Sequence, residues 1–317
     1  MEISITIEGQ FGLNWEVWQR TVALVESLGY AGLYRSDHFM VGKTGSDSLE
    51  LITSLTYLAD HSRRLHFGSL VAPLSVHNPS VLARQAMTID ALSSGRMILG
   101  VGAGWHEPEH EMFGFTLGDT KTRLDRFEEG VQVMHALIHG PWPASFAGRH
   151  FHLKDAELQP RSCVRLLIGG NGPTRTLPLV ARYADVWNAQ LVSATEFKEV
   201  NQRLDGLIAA AGRDPGDVKR TVIVPVVCWR HEADLDRHVA LFREHAAPWR
   251  DQSHAEAKHW LLTVLGGAKG TPQQVVDELG AYFANGAEEV IVEWFSVRDL
   301  EGIDLLGRDV VSAFRRA

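Results

Sequence analysis

Eight strand-like runs, each followed by helix-like sequence, predict an α/β chain closed into a (β/α)8 TIM barrel with an excursion after the fourth helix. A second observation supports this. Three strand ends carry clusters of glycine and polar residues that pass straight into helical sequence: Ser36-Asp37-His38-Phe39, Gly102-Ala103-Gly104-Trp105-His106-Glu107-Pro108-Glu109-His110 and Ile168-Gly169-Gly170-Asn171-Gly172-Pro173. Barrel sites lie at the carboxyl ends of the strands, so one mouth would collect all three clusters.

Taken in order, Ile3-Ser4-Ile5-Thr6-Ile7 alternates at period two, and Trp15 to Leu28 has helical spacing that stops at Gly29. Gly32-Leu33-Tyr34-Arg35-Ser36 reads as the second strand and Leu49 to Ala59 as its helix. Leu65 to Val71 is the third strand, and Pro79 opens a helix that reaches Leu92 and closes at Ser93-Ser94-Gly95. After the fourth strand, Arg96 to Gly102, the clearest amphipathic helix is Thr120 to Ile138, with Leu124, Phe127, Val131, Met134 and Ile138 on its core side. Gly140 to Arg161 places Pro141, Pro143 and Pro160 among aromatic residues and reads as the excursion. Strands resume at Arg165–Ile168, Ala184–Trp187, Thr221–Val227 and Glu289–Glu293. No linker composition interrupts the series, so residues 1–317 are expected to form one domain.

Composition narrows the function. The formal charge is −8, with no dense Lys/Arg block, which argues against nucleic acid or an anionic membrane as the partner and favours a small molecule. Two cysteines, Cys163 and Cys228, are too few for a disulfide framework, and no apolar run spans a bilayer, so the expected address is the cytoplasm. A dinucleotide-binding sheet is the rival architecture, because Gly100-Val101-Gly102-Ala103-Gly104 suggests its fingerprint. The match fails where the fingerprint needs its third glycine, since that position is Trp105.

The three clusters, together with Leu74-Ser75-Val76-His77-Asn78-Pro79, Ala91-Leu92-Ser93-Ser94-Gly95-Arg96 and Ala181-Arg182-Tyr183-Ala184-Asp185-Val186-Trp187-Asn188, resemble the luciferase-like monooxygenase superfamily from the first strand to the last helix. Gly-Ala-Gly-Trp-His-Glu and the start Gln10-Phe11-Gly12-Leu13 are most similar to its coenzyme F420-dependent oxidoreductases. The resemblance implies a deazaflavin or flavin held with its ring at the mouth, and a homodimer. It also implies that His38 exchanges a proton, that Asp37 orients it or touches the ring, and that a cis Leu70–Val71 peptide forms a bulge under the ring. Ala72 stands where many relatives have threonine. A histidine suits the proton role because both of its protonation states are accessible near neutrality.

The physical reading of the residues is compatible. Gly169, Gly170, Asn171 and Gly172 present backbone donors ahead of a helix opened by Pro173 and Thr174, an arrangement that receives a phosphate, with Arg175 as a nearby cation. The same glycines also serve a turn that needs only their dihedral freedom. Gly102, Gly104 and Trp105 would line the mouth, with Glu107 as its carboxylate. Trp187 and Asn188 are pocket candidates, against a core role for Trp187, and Lys269 is a candidate for an acidic cofactor tail.

His106-Glu107-Pro108-Glu109-His110 also matches the zincin pattern, which would make a zinc hydrolase with Glu107 as base. Pro108 opposes the uninterrupted helix that such a site requires, so no metal is expected. The leading expectation is hydride transfer between coenzyme F420 and a small organic substrate. The alternatives are an FMN-dependent monooxygenase served by a flavin reductase, the zinc hydrolase, and a non-catalytic ligand-binding barrel.

Overall fold

The structure, a computed structural model, describes residues 1–42 and 45–316. Eight parallel strands close the expected barrel: β1 (Glu2–Ile7), β2 (Gly32–Arg35), β3 (His66–Ser69, resuming at Ala72–Pro73), β4 (Met97–Gly102), β5 (Arg165–Gly169), β6 (Val186–Gln190), β7 (Lys219–Cys228) and β8 (Glu289–Trp294). Closure is made by β8 on β1, in register from Glu2↔Glu289 to Ile7↔Trp294. A short strand, Ala268–Gly270, extends the free half of β7.

Helices cover the outside: α1 (Trp15–Leu28), α2 (Leu51–His61), α3 (Pro79–Ser93), α4 (Glu107–Phe113), α5 (Thr120–Ile138), α6 (Thr176–Tyr183), α7 (Ala194–Ala210), α8 (Glu232–His245), α9 (His254–His259), α10 (Pro272–Ala284), α11 (Leu300–Leu305) and α12 (Ser312–Arg316). Their starts follow side-chain caps such as Asn14, Asn78 and Asp119. Helix α2 begins two residues later than expected because the Glu50 carboxylate caps it, accepting the Ile52 and Thr53 amides at 3.0 and 2.6 Å. The proline-rich excursion contains an antiparallel hairpin, Ala144–Ala147 with His152–Ala156. Glu129 on α5 pins its turn by accepting the amides of Arg149, His150 and Phe151. No described helix is long and apolar enough to cross a membrane.

Both faces of every barrel strand are buried, which divides the core in two. Tyr34, Leu70, Ile98, Leu167, Val186, Ile223 and Ile291 fill the barrel, while the larger cluster lies between the sheet and the helices. At the amino end, Glu289 is fully buried inside the barrel, 2.9 Å from His66 Nε2 and 2.8 Å from Lys219 Nζ, and also accepts the Ser4 hydroxyl. Burial alone would raise its pKa, but those partners hold it down at about 2. The polar residues Ser4 and Thr6 of β1 share this inward face, and Ile3, Ile5 and Ile7 pack outward under the helices.

Candidate active site

The loop after β2 carries His38 to the carboxyl end of the barrel. Its Nδ1 lies 3.3 Å from Glu109 Oε2, and the same oxygen accepts the amides of Phe39 at 2.7 Å and Met40 at 3.3 Å. One buried carboxylate therefore fixes both the ring and the backbone that bears it. Burial pulls the His38 pKa down, but the Glu109 hydrogen bond and the charges of Glu8, Glu109 and Asp37 outweigh it and leave the imidazole raised above its ordinary value. Burial would raise Glu109, yet His38 and the two amides lower it. Asp37 points to a different partner, with Oδ2 2.6 Å from His77 Nε2.

The expected carboxylate, Glu107, is exposed on the solvent side of α4. Glu109, two residues on, faces inward instead. The zinc box is likewise not assembled. His110 spends Nδ1 on the His106 carbonyl and Nε2 on Ser75 Oγ, each at 2.8 Å, and so has no ring nitrogen left for a metal. Among the described residues, the one group of three with ligand atoms close enough for a metal is Glu2, His66 and Glu289, at the opposite end of the barrel, where Lys219 already supplies the cation.

The Leu70–Val71 peptide is cis, and Val71, partly buried, packs against the cluster that fills the barrel. A Cβ at Gly102 would meet Val71 Cγ2 at 2.6 Å, so this glycine is what lets the bulge sit there. Gly104 has φ of +83°, and a Cβ there would lie 2.1 Å from Ser75 Oγ, the partner of His110. Trp105 is 64% exposed on the rim, its ring centroid 5.6 Å from that of His38. Phe39 continues this apolar wall, with ring centroids 4.8 Å from Phe113 and 5.2 Å from Phe115.

Opposite lies the glycine turn. Asn171 staples it to β6, donating to the Gln190 carbonyl at 2.7 Å and accepting the Gln190 amide at 3.1 Å. Helix α6 begins at Thr176 rather than at Pro173 or Thr174, which form the exposed turn before it. Its N-cap, Arg175, makes no side-chain cap; the Leu177 amide donates to the Gly172 carbonyl at 2.9 Å and Pro178 has no N–H, which leaves Thr176 as the first-turn amide without a backbone partner. A Cβ at Gly170 or Gly172 would press on Thr176 at 3.3 or 2.9 Å, so the glycines keep the cradle open. Arg175 is not a free cation. It bonds Asp125 at 2.8 Å and Glu128 at 2.9 Å.

Trp187 lies outside the site. It faces away from the barrel, fully buried and stacked on Phe197 at 5.6 Å, with Nε1 donating to the Gly170 carbonyl at 2.9 Å. Its neighbour Asn188 faces in, level with Gly169. Asn188 Oδ1 accepts the Thr221 hydroxyl at 2.9 Å, while its buried Nδ2 has no partner. A donor left over at mouth level fits a ligand with acceptor oxygens. Lys269 donates to the Leu262 carbonyl at 3.2 Å.

Four mouth residues escaped the sequence reading: Glu109, His77, Glu8 and Glu293. Glu8 follows β1 and Glu293 lies near the end of β8. Burial first, and then the nearby charge of Glu8, push the Glu293 pKa well above its ordinary value, and Gln10 Nε2 donates to Glu8 at 2.7 Å.

A model of the luciferase-like monooxygenase family matches residues 8–289. The chain belongs to this family. Among curated relatives, the pyrimidine monooxygenase RutA of Acinetobacter baylyi is 29% identical over 225 residues, covering 68% of this chain and 57% of its own length. RutA of Pseudomonas syringae is 32% identical over 221 residues, covering 68% and 58%. A 4-hydroxyprotoasukamycin monooxygenase of Streptomyces nodosus is 33% identical over 137 residues, 43% of this chain and 36% of its own. The chain thus spans little more than half the length of the RutA relatives. Two solved structures share the family fold end to end: the monooxygenase RslO1 of Streptomyces bottropensis, with TM-score 0.81, 16% identity and coverage of 99% and 100%, and an F420-dependent secondary alcohol dehydrogenase, with TM-score 0.78, 17% identity and 98% of each chain.

Proposed function

We propose that this protein is a monooxygenase that binds reduced FMN at the barrel mouth and oxygenates a small organic substrate. The observation that carries this over the F420 reading is the phosphate turn. It offers the open glycine cradle and the Thr176 amide, enough for one phosphate, while the nearby Arg175 is held by Asp125 and Glu128. A longer acidic tail would find Arg175 already neutralised by two carboxylates. The monooxygenase relatives that match two thirds of the chain support the same choice.

Bound reduced flavin would supply the electrons for dioxygen, one oxygen atom going to the substrate and the other to water, with a separate flavin reductase restoring it. The chain's own residues have defined tasks. The turn from Gly169 to Thr176 would hold the phosphate, Gly170 and Gly172 leaving room for it and the Thr176 amide facing it without a backbone partner, and Asn188 Nδ2 would donate to a ligand oxygen at the floor. His38 would hold a proton beside the substrate, at a pKa that the Glu109 hydrogen bond and nearby carboxylates raise against the opposing effect of burial. Trp105 beside His38, and the Phe39–Phe113 pair, give this side of the rim exposed apolar surface for an organic substrate.

Hydride transfer with coenzyme F420 is the second reading, favoured by the His38–Glu109 pair, which suits a proton that accompanies a hydride, and by the fold shared with F420-dependent enzymes. Supplying the protein with enzymatically reduced FMN, isotopically labelled dioxygen and a panel of small neutral organic compounds separates the two. Label in a product is expected. Label-free reduction that runs only with reduced F420 would replace the proposal.

A further inference from the structure

Asp37 turns away from its chain neighbour His38 and meets His77, a side chain that neither the phosphate turn nor the His38–Glu109 pair engages. Its Oδ2 lies 2.6 Å from His77 Nε2, with the carboxylate 11% and the imidazole 20% exposed. The loops that carry them follow the adjacent strands β2 and β3, so both stand at the carboxyl end of the barrel. Among the described residues, Asp37 makes no other hydrogen bond or ion pair. Arg35, on which the Asp37 charge acts, spends its guanidinium on Leu49 O, Glu50 O and Ser54 Oγ.

The backbone under His77 is fixed on both sides. Leu74 donates its amide to the Gly102 carbonyl at 2.9 Å, and the Val76 and His77 amides close a turn on the Pro73 carbonyl at 3.0 and 3.1 Å. Ser75, within the turn, meets His110 Nε2, and Asn78, the next residue, caps α3 by accepting the Ser80 and Val81 amides. A pinned backbone and a carboxylate at one ring nitrogen hold the imidazole in one orientation. They also choose its tautomer. A carboxylate accepts only from an N–H, so in the neutral ring the proton is on Nε2 and the lone pair on Nδ1. That second nitrogen has no partner within the described chain, and it is not among the buried ring nitrogens that lack one, such as His106 Nε2. It is therefore open to solvent at the carboxyl end.

We propose that His77, oriented by Asp37, is a second proton-handling residue of the mouth, a base that takes a proton from an N–H or O–H group of the bound substrate. In the transfer the substrate N–H or O–H bond breaks, its electron pair stays on the substrate heteroatom, and the proton bonds to His77 Nδ1. Asp37 stabilises the imidazolium that results, and solvent later removes the proton. Each of the two mouth histidines thus commits one ring nitrogen to a carboxylate, His38 to Glu109 and His77 to Asp37. His38 acts as the acid and His77 as the base. The substrate class that fits is a small neutral compound with an acidic N–H or O–H, such as an imide or a phenol.

The base role rests on the oxygenase reading of the mouth, but the tautomer set by Asp37 does not, so the test begins on the protein without cofactor. Nitrogen NMR, at a pH where imidazoles are neutral, should show His77 with its proton on Nε2. Asp37→Asn should lose that preference, because its amide can donate to Nε2 instead. His77→Gln keeps an N–H for Asp37 but has no basic nitrogen. It should unfold at the wild-type denaturant midpoint, bind FMN within a few-fold of wild type and lower turnover on the order of 10²-fold. The loss should shrink along a series of substrates as the N–H or O–H becomes more acidic, since such substrates need a base less. A proton on Nδ1 in wild type, or no change in Asp37→Asn, overturns the orientation by Asp37. Unchanged turnover in His77→Gln, or a loss that is the same for every substrate, overturns the base role and leaves a tie between two loops. Failure of wild type to oxygenate any compound with reduced FMN defeats the flavin reading and leaves the NMR result standing.

Discussion

Glu289 and Glu293 lie four residues apart on β8, both facing the inside of the barrel, and they meet opposite conditions. Glu289, at the amino end, has His66, Lys219 and Ser4 around it and is held ionised with a pKa of about 2. Glu293, at the carboxyl end, has a second carboxyl for a neighbour and is raised. The same strand thus carries one carboxylate committed to holding the barrel shut and one left uncompensated where ligands enter. The contrast extends to the histidines. His66 is used up closing the amino end, and His38 sits in the mouth with its charge supported by Glu109 and its ring still reachable. A carboxyl buried without a cation is costly, so a barrel that leaves one at its mouth and pairs the other with cations separates stability from chemistry along its axis.

The largest way to break this comparison is at the amino end. Lys219→Met removes a cation from a fully buried carboxylate and should cost about 3 kcal/mol of stability by denaturant unfolding, while turnover of the folded protein is unchanged. A rate loss as large as the stability loss would show that the two ends are not separate. At the carboxyl end the weights reverse. His38→Ala should cut turnover by about 10²-fold with little change in FMN affinity. Glu109→Gln should keep more activity than His38→Ala but move the alkaline limb of the pH profile to lower pH, because the raised His38 pKa depends on that carboxylate. The sign follows from His38 acting as an acid, whose proton is lost earlier once its support is gone. The smallest effect sharpens the boundary between wall and core. Trp187→Phe should cost about 1 kcal/mol from lost packing on Phe197 and the Gly170 hydrogen bond, with FMN affinity unchanged within a few-fold.

The barrel was legible because eight strand–helix alternations and caps such as Asn78 are local signals. Helix α5 runs from Thr120 to Ile138, the span its apolar spacing predicts. The site was legible only as far as its backbone motifs. Glu107 is preferred to Glu109 in the sequence because α4 is seven residues long and its apolar pair, Met112 and Phe113, is adjacent and exposed, so no apolar stripe sets its phase. Glu8 and Glu293 were missed for a reason particular to barrels. In β1 the isoleucines face the helices and Ser4 and Thr6 face the interior, so the usual rule that the apolar face points inward is reversed. Trp187 and Asn188 exchange roles by the same rule, the large apolar ring going to the outer core and the amide to the lumen. The hairpin of the excursion depends on Glu129, more than 15 residues upstream of the residues it holds, which strand periodicity does not register.

The central claim is that the carboxyl end of this barrel receives a flavin. It is tested most directly by titrating the purified protein with FMN and, separately, with coenzyme F420 while following quenching of cofactor fluorescence. The account predicts saturable FMN binding that is tighter than F420 binding and weakened by a side chain at Gly170. Tighter F420 binding, or binding of neither, would contradict it.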